Sequence, residues 1–265
     1  MHIPQVQWEQ FIILVLYVND ILLASSDVGL LHETKRFLSS KFDMKDLGDA
    51  SFVLGIQIYR DRPRGILGLS QKAYIDKVLS RFGMSNCAPG DMPVAKGDKF
   101  SLHQCPKNEL EKNDMERYLS NPSMDHWKKA KRVMRYLQRT KDYMLTYRRS
   151  SHLEIVGYSD SDFAGCLDSR RSTSGYIFML AGRAVSWKSV KQTLIASSTM
   201  EVEFIACYEA SNHGLWLRNF ITWLRIVDRI EKPLRINCDN KVAELYSKNN
   251  RSSSKSKHID ISSWL

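Results

Sequence analysis

Residues 153–248 alternate between short apolar runs and amphipathic stretches, and the order of these segments restricts the folds open to them. The predicted elements are strands at Leu153–Tyr158, Tyr176–Leu180 and Ala184–Lys188, a long helix from Ser198 towards Trp223, a strand at Leu234–Cys238 and a helix at Lys241–Lys248. Ser198 and Glu201 have the spacing of a capping box, which predicts the start of the long helix. The predicted order is β-β-β-α-β-α, and Trp187, Trp216 and Trp223 are expected in its core.

Three carboxylates occupy positions in this pattern where they could bind a catalytic metal ion. Asp160 follows the first strand, Glu203 lies in the first turn of the long helix, and Asp239 follows the last strand. Converging carboxylates repel one another, and Mg²⁺ relieves this repulsion because it prefers oxygen ligands. Two such ions about 4 Å apart can drive phosphodiester cleavage. Unrelated surface carboxylates remain the alternative, since the chain has 29 acidic residues.

The first half of the chain is predicted to be α+β. Residues 11–24 form two apolar β-type runs joined at Asn19-Asp20, which predicts a buried hairpin with a polar tip. A helix is predicted at Val28–Leu38 and a strand over Phe52–Ile58. A second helix is predicted after Ser70, ending at Gly83.

The charge balance favours a polyanionic partner. Lys and Arg number 39 against 29 Asp and Glu, a net charge of +10, which favours nucleic acid. The segment Met124–Arg139 predicts a basic amphipathic helix. A solvated helix face and a phosphate-contacting surface both remain open for it. The candidate nucleic-acid-binding residues on this helix are Lys128, Lys131, Arg132, Arg135 and Arg139.

Cysteine usage and the N-terminal sequence predict an intracellular protein without a membrane partner. The five cysteines are odd in number and form no C-x-x-C pair, which disfavours a zinc knuckle or a disulfide framework. The N-terminus lacks the features of a signal peptide. The longest apolar run, Phe11–Val18, falls well short of the roughly 18 residues that a membrane span needs. We expect the cytoplasm or nucleus, and the sequence assigns no oligomeric state.

Specific motifs resemble one family over most of the chain. The second half resembles the ribonuclease H domain of Ty1/copia-type retrotransposon Pol polyproteins, and the first half resembles the end of that family's reverse transcriptase. The segments of the second half are GYSDSDFAGCLDSRRSTSGYIFMLAGRAVSWKS, ASSTMEVEFIACYEAS, CDNKVAEL and SKSKHIDI. Those of the first half are FIILVLYVNDILLASSD, KFDMKDLGDASFVLGIQIYRDR, GLSQKAYIDKVLSRFGM and YLSNPSMDHWKKAKRVMRYL.

The resemblance implies roles for individual residues. Asp160, Glu203 and Asp239 would be catalytic and bind Mg²⁺, with Mn²⁺ as a possible substitute, while Asp162 would be structural or lie behind the metal ligands. Residues 17–20, Tyr-Val-Asn-Asp, stand in the place of the polymerase YVDD turn. Asp20 would be the metal-binding remnant of that turn, whereas Asn19 replaces an acid.

Departures from the family pattern predict an incomplete protein. The chain begins just before the YVDD-like turn, lacks a segment near Asp114–Tyr118, and stops before the family's last acid, for which Asp260 is the candidate substitute. We expect a partial reverse-transcriptase palm at 1–113, a basic connection at 114–150, and a C-terminally truncated ribonuclease H-like mixed sheet with flanking helices at 151–265.

The predicted function follows from this resemblance. The chain would be a remnant reverse transcriptase/ribonuclease H whose ancestral reaction is Mg²⁺-dependent hydrolysis of RNA in an RNA–DNA hybrid, with an inactive polymerase part. Its partner would be such a hybrid or a duplex. The alternative is a non-catalytic nucleic-acid-binding protein or an unstable pseudogene product.

Overall fold

A computed structural model describes residues 10–94, 124–150, 153–165, 169–224 and 234–248. The chain divides into two compact units, Met1–Ile58 and Tyr59–Leu265. Both predicted domain boundaries, at 113/114 and 150/151, adjoin or lie within residues outside the described ranges. The domain assignment therefore stays a prediction.

The first unit holds the predicted hairpin. Strands β1 (Ile12–Tyr17) and β2 (Asp20–Ser25) pair antiparallel, and Val18, at φ 49°, begins the two-residue loop between them. Helix α1 (Val28–Lys41) packs on β2. The prediction that the hairpin is buried is wrong, because Leu16 is 65% exposed and none of residues 10–58 is buried. One short helix against one strand leaves most of the hairpin's apolar surface uncovered within this unit.

Residues 52–58 form two strands where one was predicted. Strands β3 (Phe52–Val53) and β4 (Ile56–Asp61) are separated by a turn in which Leu54 and Gly55 have positive φ angles, 53° and 77°. Gly55 adopts this conformation without steric cost, which allows the chain to reverse. Strands β5 (Ile66–Ser70) and β6 (Leu145–Arg148), which the sequence reading missed, complete a sheet of order β3-β4-β5-β6.

Two helices form a small core in the second unit. Helices α2 (Lys72–Arg81) and α3 (Met124–Thr140) contact each other. Leu79, Met84 and Met134 are buried between them and the loop that follows α2. Gly83, at φ 64°, ends α2 as predicted. The predicted basic helix is thereby confirmed as an element, with its apolar side packed against α2.

The second unit also contains a four-stranded mixed sheet of order β10-β7-β8-β9. Its elements are β7 (Ile155–Asp162), β8 (Thr173–Leu180), β9 (Arg183–Lys191), helix α4 (Thr199–Trp223), β10 (Arg235–Asn237) and helix α5 (Lys241–Lys248). Strand β10 is parallel to β7, while β7, β8 and β9 are antiparallel. The predicted order β-β-β-α-β-α is confirmed.

Helix α4 covers one face of this sheet. Phe178 is fully buried at the centre of the interface, and a Cβ atom placed on Gly157 or Gly214 would lie within 3 Å of its ring. The glycines therefore leave room for the phenyl group between strand and helix. The prediction that the tryptophans are core residues is wrong. For Trp216 and Trp223 the reason is that the inward positions of α4 hold smaller side chains. Trp187, Trp216 and Trp223 are 58%, 55% and 77% exposed.

Among the described residues, none of the helices combines the length and the apolar character that crossing a membrane requires.

Candidate functional site

The parallel pairing of β10 with β7 brings two of the predicted carboxylates to the same edge of the sheet. Asn237 pairs with Tyr158, so Asp239 and Asp160 each follow the last pair of this ladder by two residues. Asn237 also donates from its side-chain amide to the carbonyl of Gly157, at 3.1 Å. This bond fastens the end of β10 to β7 immediately before the acidic residue.

The chain turns sharply after Asp239. The side-chain oxygen of Asn240 accepts hydrogen bonds from the N–H groups of Val242 and Ala243, each at 3.0 Å. Asn240 therefore caps the N-terminus of α5, as asparagine commonly does. A fixed strand end on one side and a capped helix on the other define the position of Asp239.

Glu203 reaches the same place from helix α4. The helix begins at Ser198, whose hydroxyl accepts the N–H of Glu201 at 3.2 Å, as the capping box predicts. Glu203 follows one turn later and is only 7% exposed. One carboxylate oxygen, Oε1, accepts the backbone N–H of Ser161 at 3.2 Å. The carboxylate is thus buried and held against β7.

Glu203, Cys238 and Asp239 form the compact group of the site. One donor atom from each residue lies within 4.8 Å of the donor atoms of the other two. The second oxygen of Glu203, Oε2, faces the Cys238 sulfur at 3.9 Å. The sequence patterns did not predict that Cys238 lies beside these carboxylates. Its signal was the strand period, because Cys238 lies two residues after Ile236, which packs on the core beneath α4.

Asp160 acts on Glu203 through its charge. It is exposed on β7 and does not belong to the 4.8 Å group. The pKa of Glu203 is raised above its ordinary value, first by burial and then by the negative charges of Asp160 and Asp239. The Ser161 hydrogen bond works in the opposite direction. Both of the other predicted acids therefore act electrostatically on Glu203, and Asp239 also belongs to its 4.8 Å group.

Asp162 has a different role from Asp160. Its carboxylate accepts the backbone N–H of Thr173 across the β7–β8 pair. A Cβ atom on Gly165 would collide with the same carboxylate, so the loop passes directly over it. Asp162 therefore fixes the start of the β7–β8 connection, in agreement with the structural role expected for it.

A second cysteine, Cys207, lies next to Ser159 and interacts with Cys238 and Glu203. The Cys207 sulfur is 3.2 Å from the hydroxyl oxygen of Ser159. Burial raises the pKa of Cys207 to about 12, and Cys238 and Glu203 contribute to the increase. Cys207 is therefore a protonated thiol at neutral pH.

Of the two other predicted acids, Asp20 lies in the first unit and Asp260 lies outside the described residues. Asp20 is the first residue of β2, at the tip of the hairpin in the first unit, where it pairs with Tyr17. Its neighbour Asn19 lies in the hairpin loop. Asp260 falls outside the described residues, so its proposed role as a fourth acid remains a prediction.

The predicted nucleic-acid-binding residues all lie on helix α3. Lys131 stands over the ring of Trp127, with its Nζ atom 5.2 Å from the ring centroid. Arg135 donates from Nε to the carbonyl of Ala88 at 2.9 Å. The guanidinium of Arg139 is 3.1 Å from the carboxylate of Asp91. Part of this basic face therefore holds the loop after α2. The full candidate set comprises Lys128, Lys131, Arg132, Arg135 and Arg139.

Comparison with known proteins gives a consistent set of relatives. Residues 4–96 match the family model described as reverse transcriptase (RNA-dependent DNA polymerase). The chain is 37% identical, over 95% of its length, to the retrovirus-related Pol polyprotein from transposon TNT 1-94 of Nicotiana tabacum, and covers 21% of that protein. It is 32% identical, over 94% of its length, to the corresponding polyprotein from transposon RE2 of Arabidopsis thaliana, and covers 18% of it.

A shorter relative is matched over most of its own length. An uncharacterized mitochondrial protein of Arabidopsis thaliana is 33% identical over 73% of this chain, which covers 89% of that protein. The chain thus spans about a fifth of the length of the polyproteins and most of the mitochondrial protein. No solved structure gives a significant match.

Proposed function

The chain belongs to the family of retrovirus-related Pol polyproteins of copia-type transposons, and from this membership we propose that residues 151–265 are a divalent-metal-dependent ribonuclease acting on the RNA strand of an RNA–DNA hybrid. The observation that carries the proposal is the convergence of Glu203 and Asp239 at one sheet edge, with the charge of Asp160 acting on Glu203. These residues come from β7, α4 and the end of β10.

The donor set fits a divalent cation. Glu203 is 7% exposed and is affected by two other negative charges, so its ionised carboxylate is unfavourable without a counter-charge. Mg²⁺ or Mn²⁺ would be held by Glu203 and Asp239, with Asp160 at the same edge. Cations bound there supply Lewis-acid chemistry, activating water and stabilising a leaving phosphodiester oxygen.

The residues of the site hold the carboxylates in position and supply their negative charge. The Ser161 N–H fixes one oxygen of Glu203, which leaves the other directed towards Cys238 and Asp239. Asp160 is exposed on β7, so a bound nucleic acid could contact it. Selection of the RNA strand would rest on helix shape and 2′-hydroxyl contacts, not on base sequence.

The test is cleavage of a labelled RNA–DNA hybrid by the full chain in Mg²⁺, in Mn²⁺ and in EDTA. We expect metal-dependent cleavage that falls at least about 100-fold in Asp239→Asn, because the variant loses a charge-stabilising ligand. Asp142→Asn is the matched control, since Asp142 is an exposed aspartate paired with Lys72. Cleavage that survives in Asp239→Asn, or that persists in EDTA, would contradict the proposal.

The polymerase part is proposed to be inactive. Asn19 provides a neutral amide at the hairpin loop, beside Asp20, in the place of an acid. This removes one negative charge from a turn that would have to hold cations. Primer extension on an RNA template should stay at background, and extension above background would refute this part of the proposal.

A non-catalytic nucleic-acid-binding protein is the second candidate. It is favoured by the net charge of +10 and by the position of Asp160 outside the 4.8 Å group. A binder should retain hybrid affinity in Asp239→Asn and respond chiefly to salt. Folded protein that binds the hybrid but does not cleave it would select this candidate.

A further inference from the structure

The proposed metal site contains a sulfur atom that a magnesium site does not need. Magnesium prefers six oxygen ligands, whereas a thiolate favours zinc, cadmium and other thiophilic cations. Cys238 lies within the same 4.8 Å group as Glu203 and Asp239. Its thiol donates a hydrogen bond to Oε2 of Glu203, with a sulfur–oxygen distance of 3.9 Å, so the two side chains are in direct contact.

The spacing of the three donors suits a four-coordinate cation. With metal–ligand bonds of roughly 2.0–2.3 Å, the donors of a tetrahedral zinc site lie about 3.3–3.8 Å apart. The sulfur–oxygen distance of 3.9 Å between Cys238 and Glu203 is close to this range, and the exposed Asp239 has a carboxylate oxygen within 4.8 Å of both donors. Three protein ligands would leave one position for water or buffer.

We propose that Glu203, Cys238 and Asp239 form a mixed thiolate–carboxylate site that binds Zn²⁺ or Cd²⁺ in preference to Mg²⁺, and that this cation competes with the metal of the ribonuclease. The competition, though not the binding, rests on the proposed function. On binding, a sulfur–metal bond replaces the S–H bond of Cys238, and the proton passes to the buffer. Cys207 contacts Ser159 and Cys238 but does not belong to the 4.8 Å group, so it stays outside the ligand set.

The binding test is a titration of the full chain with CdCl₂ in excess Mg²⁺, following the ultraviolet charge-transfer absorption of the cadmium–thiolate bond. We expect Cys238→Ser to lose a saturable component of this absorption and to weaken cadmium binding by at least about tenfold. Cys87→Ser is the matched control, because Cys87 packs against the Leu79 cluster. All variants keep the remaining cysteines, so the difference isolates Cys238. Identical titrations of wild type and Cys238→Ser would overturn the proposal.

A second measurement uses the unmodified protein and does not depend on the folding of a variant. Alkylation of each cysteine by iodoacetamide is followed by peptide mass spectrometry with and without ZnCl₂. We expect Zn²⁺ to slow the alkylation of Cys238 at least about tenfold while leaving Cys87 unchanged. Equal rates at Cys238 with and without Zn²⁺ would overturn the proposal.

The cleavage assay separates this inference from the proposed function. We expect Zn²⁺ to inhibit Mg²⁺-dependent cleavage by the wild type at a concentration at least about tenfold below that required for Cys238→Ser. Equal inhibition of both proteins would overturn the competition and leave the ribonuclease intact. If no cleavage occurs at all, the ribonuclease proposal fails, and the cadmium titration still decides whether the site exists.

Discussion

At the scale of single residues, Glu203 is the point where burial and charge repulsion act together. Its carboxylate is almost completely buried, and the charges of Asp160 and Asp239 add to the effect of burial in raising its pKa. The hydrogen bond from the Ser161 N–H offsets part of this cost. Without a bound cation, the burial of Glu203 and its repulsion from Asp160 and Asp239 therefore lower the stability of the folded protein.

This arrangement predicts the sign of a pH effect. Because the pKa of Glu203 is raised in the folded state, its contribution to stability is fully present below the ordinary value of 4.5 and is lost as the pH rises through the raised value. In EDTA, the melting temperature of Glu203→Gln should therefore fall less with rising pH than that of the wild type.

Thermal unfolding between pH 4 and pH 8 checks this expectation, with Glu33→Gln as the control because Glu33 lies exposed on α1. The control should follow the wild type. Parallel curves for Glu203→Gln and the wild type would show that Glu203 does not carry the effect.

Residue patterns predicted some of the site and missed the rest for identifiable reasons. Asp160, Glu203 and Asp239 were recognisable because each follows or begins an element with clear periodicity and matches a family motif. Cys238 was missed because the strand period, which puts it on the same face as Ile236, does not show that Glu203 lies next to that face. Its proximity to Glu203 depends on the packing of α4 against β10, which no local pattern encodes.

At the scale of elements, the side chains of helix α3 have different partners. Met134 is buried against α2, while Arg135 bonds to the carbonyl of Ala88 in the loop that follows α2. Lys131 instead lies over the Trp127 ring. The sequence of α3 does not distinguish Arg135 from Lys131. Helical periodicity shows which side of the helix a residue occupies, and not whether a distant carbonyl accepts its hydrogen bond.

Two substitutions on α3 should therefore act differently. Arg135→Ala should lower the free energy of unfolding by about 1 kcal/mol, because a side chain to backbone hydrogen bond is lost. Lys131→Ala should change stability little and reduce the salt dependence of hybrid binding by up to about 0.9 in the log–log slope, if that lysine contacts a phosphate.

Urea unfolding and binding titrations at several salt concentrations measure the two effects. A Lys131→Ala protein with an unchanged salt slope would remove Lys131 from the candidate interface. An Arg135→Ala protein with unchanged stability would show that its bond to the Ala88 carbonyl contributes nothing to the fold.

Elements with strong periodicity were predicted closely, whereas short strands were not. Helices α1, α3 and α4 lie within a few residues of their predicted bounds. Strands β5 and β6 were missed because they pair over a long sequence separation, from Leu69 to Leu145. Their apolar content is too brief to distinguish a strand from a loop without that partner.

At the scale of the whole molecule, the buried core is unevenly distributed. None of residues 10–58 is buried, whereas Ile155, Phe178 and Leu217 belong to a continuous core beneath α4. Local stability follows the number of buried apolar contacts. Amide hydrogen exchange measured by mass spectrometry should therefore be fastest in β1, β2 and α1 and slowest in β7, β8 and α4.

The comparison is internal, since all peptides come from one sample at one pH. Protection in the β1–β2 hairpin equal to that in β7 and β8 would contradict the expectation. It would show that the hairpin is stabilised by contacts beyond those of residues 10–58.

The parallel pairing of β10 with β7 has a consequence for the time course of folding. The Asn237 side chain and the Gly157 carbonyl are 80 residues apart in the sequence, and a contact of that separation carries a large loop-closure cost. The hairpin of β7 and β8 and the first turns of α4 can form through nearer contacts. Asp239 reaches Glu203 only after β10 docks, so the ability to bind a cation would mark the late closure of this sheet during refolding.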